Sequence, residues 1–138
     1  KPNEVIRFYN NLFIANGCPL VTLDANQTDV RLNGNAYWRP DGSFDAWVGE
    51  KRFSSLTAWQ KTDTGRETAG FFGDPKLSGH GTDEFPLPEK LTALRGYHPR
   101  PDSPLRGRGV ALKPLGIEVG ARDFFGKTGT GTAVGAGR

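Results

Sequence analysis

Residues 6–14 (Ile-Arg-Phe-Tyr-Asn-Asn-Leu-Phe-Ile) and 30–38 (Val-Arg-Leu-Asn-Gly-Asn-Ala-Tyr-Trp) can be laid over one another at a shift of 24 (30 minus 6). The overlay matches Ile6 with Val30, Arg7 with Arg31, Phe8 with Leu32, Asn11 with Asn35, Phe13 with Tyr37 and Ile14 with Trp38. Each line alternates apolar and polar residues, breaks at an Asn-rich bend and resumes as an apolar strand, the pattern of a strand–turn–strand unit with one buried face. A unit of this length cannot bury its apolar face alone, so its repetition predicts stacking into a solenoid. Further short strands at 19–23 and 44–48 give three per repeat, a triangular coil whose parallel strands pair one turn apart at about 4.8 Å.

The bends carry a second expectation. Asparagine tolerates the left-handed backbone region, and its amide can bond neighbouring backbone. With Asn11 and Asn35 one repeat apart, their side chains are expected to form a structural ladder. After Gly49 the period changes. Phe53, Leu56 and Trp59 recur every three residues behind Ser54-Ser55, which predicts a capped short helix near 54–61 with Trp59 in the core. A strand follows at 70–73, then a loop over 78–90 and a helical turn at 91–94. Three more short strands are expected at 110–112, 117–119 and 123–125, and the Gly- and Thr-rich end is expected to be either a last strand at 132–134 or a loose tail. The whole chain reads as one domain: two coils over 1–50, helix and return strand over 51–77, and a loop-rich closing segment over 78–138.

Composition narrows the function classes. Eighteen Lys and Arg face 15 Asp and Glu, and the basic residues are scattered apart from Arg95, Arg100, Arg106 and Arg108. A nucleic-acid surface wants a denser patch, so no nucleic-acid partner is expected. The single Cys18 excludes an internal disulfide and is expected to be a small buried residue. No apolar run reaches the roughly 20 residues of a membrane span, and no signal peptide is evident. The chain contains no Met, so Lys1 is expected to be a processing site or a boundary within something longer.

Candidate chemistry is sparse. Asp24, Asp29, Asp41 and Asp45 could supply a carboxylate pair if turns stack, yet Asp24, Asp29 and Asp41 sit in or beside turns that favour Asp for backbone reasons. The calcium-loop pattern is absent, and His80 and His98 have no partner at a telling spacing. Gly129, Gly131, Gly135 and Gly137 lack the helix and Lys-Ser/Thr pair of a phosphate loop. No catalytic residue, metal ligand or cofactor site is therefore expected. Tyr37, Trp38 and Trp47 are the candidates for carbohydrate contact, because an aromatic face stacks on the C–H side of a pyranose. Alternation sends one of the first two outward, and the overlay of Trp38 on Ile14 favours Trp38 inward and Tyr37 outward.

An ordered set of short motifs runs through the chain: Tyr-Asn-Asn-Leu-Phe at 9–13, Asn-Ala-Tyr-Trp at 35–38, Phe-Ser-Ser-Leu-Thr-Ala-Trp-Gln at 53–60 and Phe-Gly-Asp-Pro-Lys-Leu at 72–77. Asp-Ser-Pro-Leu at 102–105, Arg-Asp-Phe-Phe-Gly at 122–126 and Val-Gly-Ala at 134–136 complete it. The set resembles the closing part of pectate-lyase-like proteins, secreted bacterial proteins of polysaccharide metabolism. The resemblance implies an all-β fold, the C-terminal coils of a right-handed parallel β-helix with one short helix and a long irregular tail. It implies a secreted or periplasmic bacterial setting and polysaccharide as ligand. None of the family's catalytic motifs matches this sequence. The expected role is thus a non-catalytic closing segment of a polysaccharide-binding or polysaccharide-processing protein. Two alternatives remain open: a chain of a polysaccharide lyase or glycoside hydrolase whose active site lies on an N-terminal portion or second chain, and a structural protein that self-associates through open edges.

Overall fold

The computed structural model describes residues 5–62, 66–79, 96–122, 128 and 134. The helical turn expected at 91–94, the strand at 123–125, His80, residues 132 and 133, and the glycines at 129, 131, 135 and 137 lie outside them.

The repeat folds as two layers. Strand β1 (Ile6–Tyr9) pairs in parallel with β4 (Val30–Asn33), and β2 (Leu12–Ile14) pairs in parallel with β5 (Ala36–Trp38). Both pairs keep the 24-residue shift, from Ile6 on Val30 to Ile14 on Trp38. A third edge joins β3 (Val21–Leu23) to β6 (Ala46–Val48), with Val21 on Ala46. Register is firm because a one-residue slip would turn every core side chain to the other face.

The right-handed parallel β-helix expected from the resemblance is corrected here. Among the described residues the strands form three small sheets, one of two strands and two of three, and no closed solenoid. The repeat stops at its second layer. Gly49 and Glu50 turn the chain straight back, so β7 (Lys51–Phe53) lies antiparallel on β6 and makes the third sheet mixed. Helix α1 (Leu56–Thr62) follows, and among the described residues after it only the two-residue β8 (Phe71–Phe72) returns to a sheet. Its Phe71 pairs with Ala36 at a spacing of 35 (71 minus 36) in place of 24.

Helix α1 begins where Ser55 Oγ accepts the Ala58 N–H at 3.1 Å, an N-cap contact. Its buried Leu56 and Trp59 close the main core. Trp59 lies 6.1 Å from the Tyr37 ring and 6.2 Å from Phe44, and Phe13 stacks on Tyr37 at 5.4 Å. Aromatic pairs of this geometry contribute about 0.5–1.5 kcal/mol each beyond their buried area.

A second, smaller core explains an inverted orientation. Strand β5 is covered on both faces: Tyr37 packs in the main cluster, whereas Ala36 meets Leu105 and Val134 from the C-terminal part of the chain. Tyr37 is fully buried and points inward, and Trp38, one residue on, is half-buried and 6.3 Å from Phe72. The expected outward Tyr37 and inward Trp38 are therefore reversed. The phase was set by the Ile14–Trp38 match, but Phe13–Tyr37 is the pair that faces the aromatic core. A strand covered on both faces reads as an unbroken apolar run, and alternation cannot assign its sides.

The segment 96–122 forms no strand of its own. At 110–112 and 117–119 the expected strands are replaced by irregular chain around a 3-10 turn, Lys113–Leu115, with Pro114 in its first turn and Gly116 closing it at φ 70°. This segment is pinned by side chains. Ser103 Oγ donates to the Pro75 carbonyl at 2.6 Å, and the Asn10 amide clamps Val110, donating to its carbonyl at 2.9 Å and accepting its N–H at 2.7 Å. Cys18, expected to be buried, is exposed, because the bend after Gly17 carries it off the core.

The clamp depends on Gly34. Its φ is 67°, and a Cβ there would stand 2.8 Å from Asn10 Oδ1 and 2.9 Å from Val110 Cγ1. Gly34→Ala is expected to cost about 2 kcal/mol, through left-handed strain and loss of the clamp. Urea unfolding should show a lower midpoint with an unchanged slope; an unchanged midpoint would remove the clamp from the account.

Candidate functional site

Two polar constellations stand out, one sealed and one at the surface. The sealed one begins at the ladder. The Asn11 backbone N–H donates to Asn35 Oδ1 at 2.9 Å, and Asn11 Nδ2 reaches the same oxygen at 3.2 Å. One layer further, the Asn35 backbone N–H donates to Glu67 Oε1 at 2.8 Å, so a glutamate stands where the next asparagine would. Glu67 Oε2 accepts Asn35 Nδ2 at 2.7 Å and the Tyr37 hydroxyl at 2.5 Å.

The chain around Glu67 is shaped to deliver that carboxylate. Its φ of 54° is left-handed, its N–H donates to the Leu32 carbonyl at 2.7 Å, and its carbonyl accepts Gln60 Nε2 at 2.7 Å and the Gly70 N–H at 2.9 Å. A Cβ on Gly70 would meet Glu67 Cγ at 2.5 Å, so the side chain can fold back only over glycine. Glu67 is wholly buried. Burial lifts its carboxyl above the ordinary range, while the Asn35 amide, the Tyr37 hydroxyl and the Asn35 N–H draw it back down. Burial, followed by the charge of Glu67, pushes the Tyr37 phenol up, so it remains a neutral donor.

The second constellation gathers around the buried Asp45, with Trp47 of β6 and Arg52 of β7 at the surface beside it. Trp47 is half-buried, and Arg52, its partner in register, lies over its ring at 5.6 Å from the centroid. Arg52 forks onto Asp45, with Nε to Oδ1 at 2.8 Å and Nη2 to Oδ2 at 3.2 Å, and Trp47 Nε1 donates to the same Oδ1 at 3.1 Å. Arg39 joins Asp45 to Asp41, at 3.5 Å and 2.7 Å, and its buried Nε has no hydrogen-bond partner. The Ser43 backbone N–H and hydroxyl hold the exposed Asp41 carboxyl below its ordinary range, so it is ionised at neutral pH.

The expected site residues thus separate. Trp47 lies in the surface cluster, Trp38 packs on Phe72, and Tyr37 belongs to the sealed core. Of the four aspartates, Asp41 and Asp45 meet through Arg39. Asp24 lies in a turn where its N–H donates to Gln27 Oε1, and Asp29 accepts the Ile6 N–H on its carbonyl. His98 stands in the 96–122 segment with its Nδ1 3.0 Å from the Pro99 carbonyl. Among the described residues no group of three or more His, Cys, Asp or Glu is placed to hold a metal ion, and no helix is long and apolar enough to cross a membrane.

Glu67 was missed in the sequence. The available signal was a third line: Phe71-Phe72 laid on Ala36-Tyr37 puts Gly70 level with Asn35 and leaves Glu67 three residues upstream, within reach of a longer side chain. Comparison with known proteins gives no match: no family model, no curated relative and no solved structure is similar to this chain.

Glu67 sets a pH dependence. A carboxyl whose folded value is raised binds its proton more tightly in the native state, so its contribution is complete below about pH 4.5 and is lost as pH rises through the raised value. Stability is expected to fall as pH rises from about 4.5, and Glu67→Gln, which cannot titrate, should flatten that part of the profile. Parallel profiles for the two proteins would contradict the assignment. Tyr37→Phe removes one donor from Oε2 and is expected to cost about 1 kcal/mol, read as a lower urea midpoint.

Proposed function

We propose that the chain is a non-catalytic polysaccharide-binding element of an extracellular bacterial system, and that it holds its ligand at the Trp47 cluster. The observation that carries this reading is the half-buried Trp47 ring, set among Arg52, Asp45, Arg39 and Asp41. An indole face offers the apolar side of a pyranose a stacking surface. The exposed Arg52 guanidinium donates, and the exposed Asp41 carboxylate accepts, the bonds that sugar hydroxyls require. Because Arg52 and Trp47 both bond Asp45, the ring and the charges are held in one arrangement before a ligand arrives, which lowers the ordering cost of binding.

The short motifs resembling pectate-lyase-like proteins supply the ligand class, polysaccharide, and the extracellular setting. The non-catalytic part of the proposal rests on Glu67. Its carboxyl is raised by burial, the quality a general acid needs, yet it is sealed in the core with both oxygens bonded to protein.

Affinity electrophoresis through gels containing pectic and other acidic or neutral polysaccharides tests this. At least one polymer should retard the protein, and Trp47→Ala should weaken retardation about tenfold, near 1.4 kcal/mol, with its unfolding midpoint little changed. Equal migration in every gel, or retardation indifferent to Trp47→Ala, would overturn the reading.

A further inference from the structure

The cluster around Trp47 is electrically closed. The Asp45 side chain is 9% exposed and bonds Arg52, Arg39 and Trp47. Arg39, 11% exposed, spans Asp45 and Asp41. Two guanidinium groups thus meet two carboxylates, and their charges sum to zero. Because Asp45 and Arg39 are held largely out of water, a further charge brought against them meets no free counter-charge to offset its own loss of hydration.

What the cluster turns outward is polar, with no surplus of either sign. Arg52 is 61% exposed and Asp41 52%. The Nε and Nη2 edge of Arg52 is spent on Asp45, and its Nη1 bonds no described residue. Asp41 Oδ1 takes both Ser43 donors while Oδ2 takes only Arg39 Nη2, so Oδ2 has room for a further donor. Hydroxyl groups can accept from the one and donate to the other without adding charge. Across the third sheet Thr22, Trp47 and Arg52 stand in register on one face, so that row presents a hydroxyl, an indole and a guanidinium already paired.

We infer that the Trp47 cluster takes uncharged pyranose residues and discriminates against uronates. This rests on the polysaccharide reading of the cluster and adds to it the chemical class of the sugar. A neutral sugar stacks on the indole, its hydroxyls donate to Asp41 Oδ2 and accept from Arg52 Nη1, and the site stays at zero charge. A uronate carboxylate would compete with Asp45 for Arg52 and leave the site with one negative charge in excess. Specificity of this kind comes from an unfavourable charge set against the wrong ligand. The formal charge of the chain, +3, draws polyanions from a distance, but salt screens that attraction and leaves stacking and hydroxyl bonds in place.

The test runs the intact chain through affinity gels of hydroxyethylcellulose, galactomannan and pullulan, which are neutral, and of polygalacturonate and alginate, which are uronates, each at low and high salt. At least one neutral polymer should retard the protein equally at both salt levels, and Trp47→Ala should weaken that retardation. At high salt the uronate polymers should bind at least about tenfold more weakly. Asp41→Asn removes one negative charge from the cluster, so it should raise retardation by polygalacturonate, and adding Trp47→Ala should remove the gain. Retardation by a uronate polymer that depends on Trp47, persists in high salt and equals or exceeds that by every neutral polymer would overturn the inference and leave the polysaccharide reading standing. No gain in Asp41→Asn would overturn it equally, by removing charge balance as the cause. Free migration in every gel would overturn the polysaccharide reading itself and this inference with it.

Discussion

A carboxylate standing in for an amide holds this molecule together. Asn11 and Asn35 form a ladder that a third asparagine could extend, and Glu67 takes that place from a different backbone path, with three donors converging on its two oxygens. Without it the Asn35 N–H, the Asn35 amide and the Tyr37 hydroxyl would be buried donors with nothing to accept them, each costing about 1–3 kcal/mol. The same contact closes the stack. By carrying Glu67 over the second layer, segment 66–70 caps Leu32, Asn33 and Asn35, and that side presents no free edge where those residues lie.

Much of the local structure was legible because the repeat constrains it twice, through apolar alternation and through the Asn at the bend. Together these set the pairing of Ile6 with Val30 and Ile14 with Trp38, and the contact of Asn11 with Asn35. The helix could be read from Ser55 and the spacing of Leu56 and Trp59. What failed did so for physical reasons. Two similar lines do not say whether a third follows, and the turn at Gly49-Glu50 ends the repeat there by folding β7 back on β6. Tyr37 and Trp38 were given the wrong phase because a distant segment, around Leu105, covers the second face of β5. Glu67 belongs to no periodic line, and its role depends on a left-handed backbone and on Gly70 beside it.

The candidate site was half legible. Trp47 was singled out for its aromatic face, and Asp41 and Asp45 as carboxylates, but nothing in their spacing tied them to Arg39 and Arg52. The antiparallel return of β7 makes that constellation by setting Arg52 opposite Trp47. The one feature that spoiled the expected fold thus builds the surface on which the proposed binding function rests. The chain then has two separate regions, a sealed acid that stabilises and a charged aromatic cluster on which the proposed sugar binding rests.

Hydrogen exchange of the Asn35 backbone amide, followed by NMR in the native protein and in Glu67→Ala, tests the role of the carboxylate most directly. If Glu67 closes the ladder, this amide exchanges in the native protein only on global unfolding, and in the variant it exchanges far faster than the amides of β3 and β6 in the third sheet. If the Asn35 amide exchanges rapidly in the native protein, or is equally protected in both, the carboxylate is not the interaction on which the stack depends.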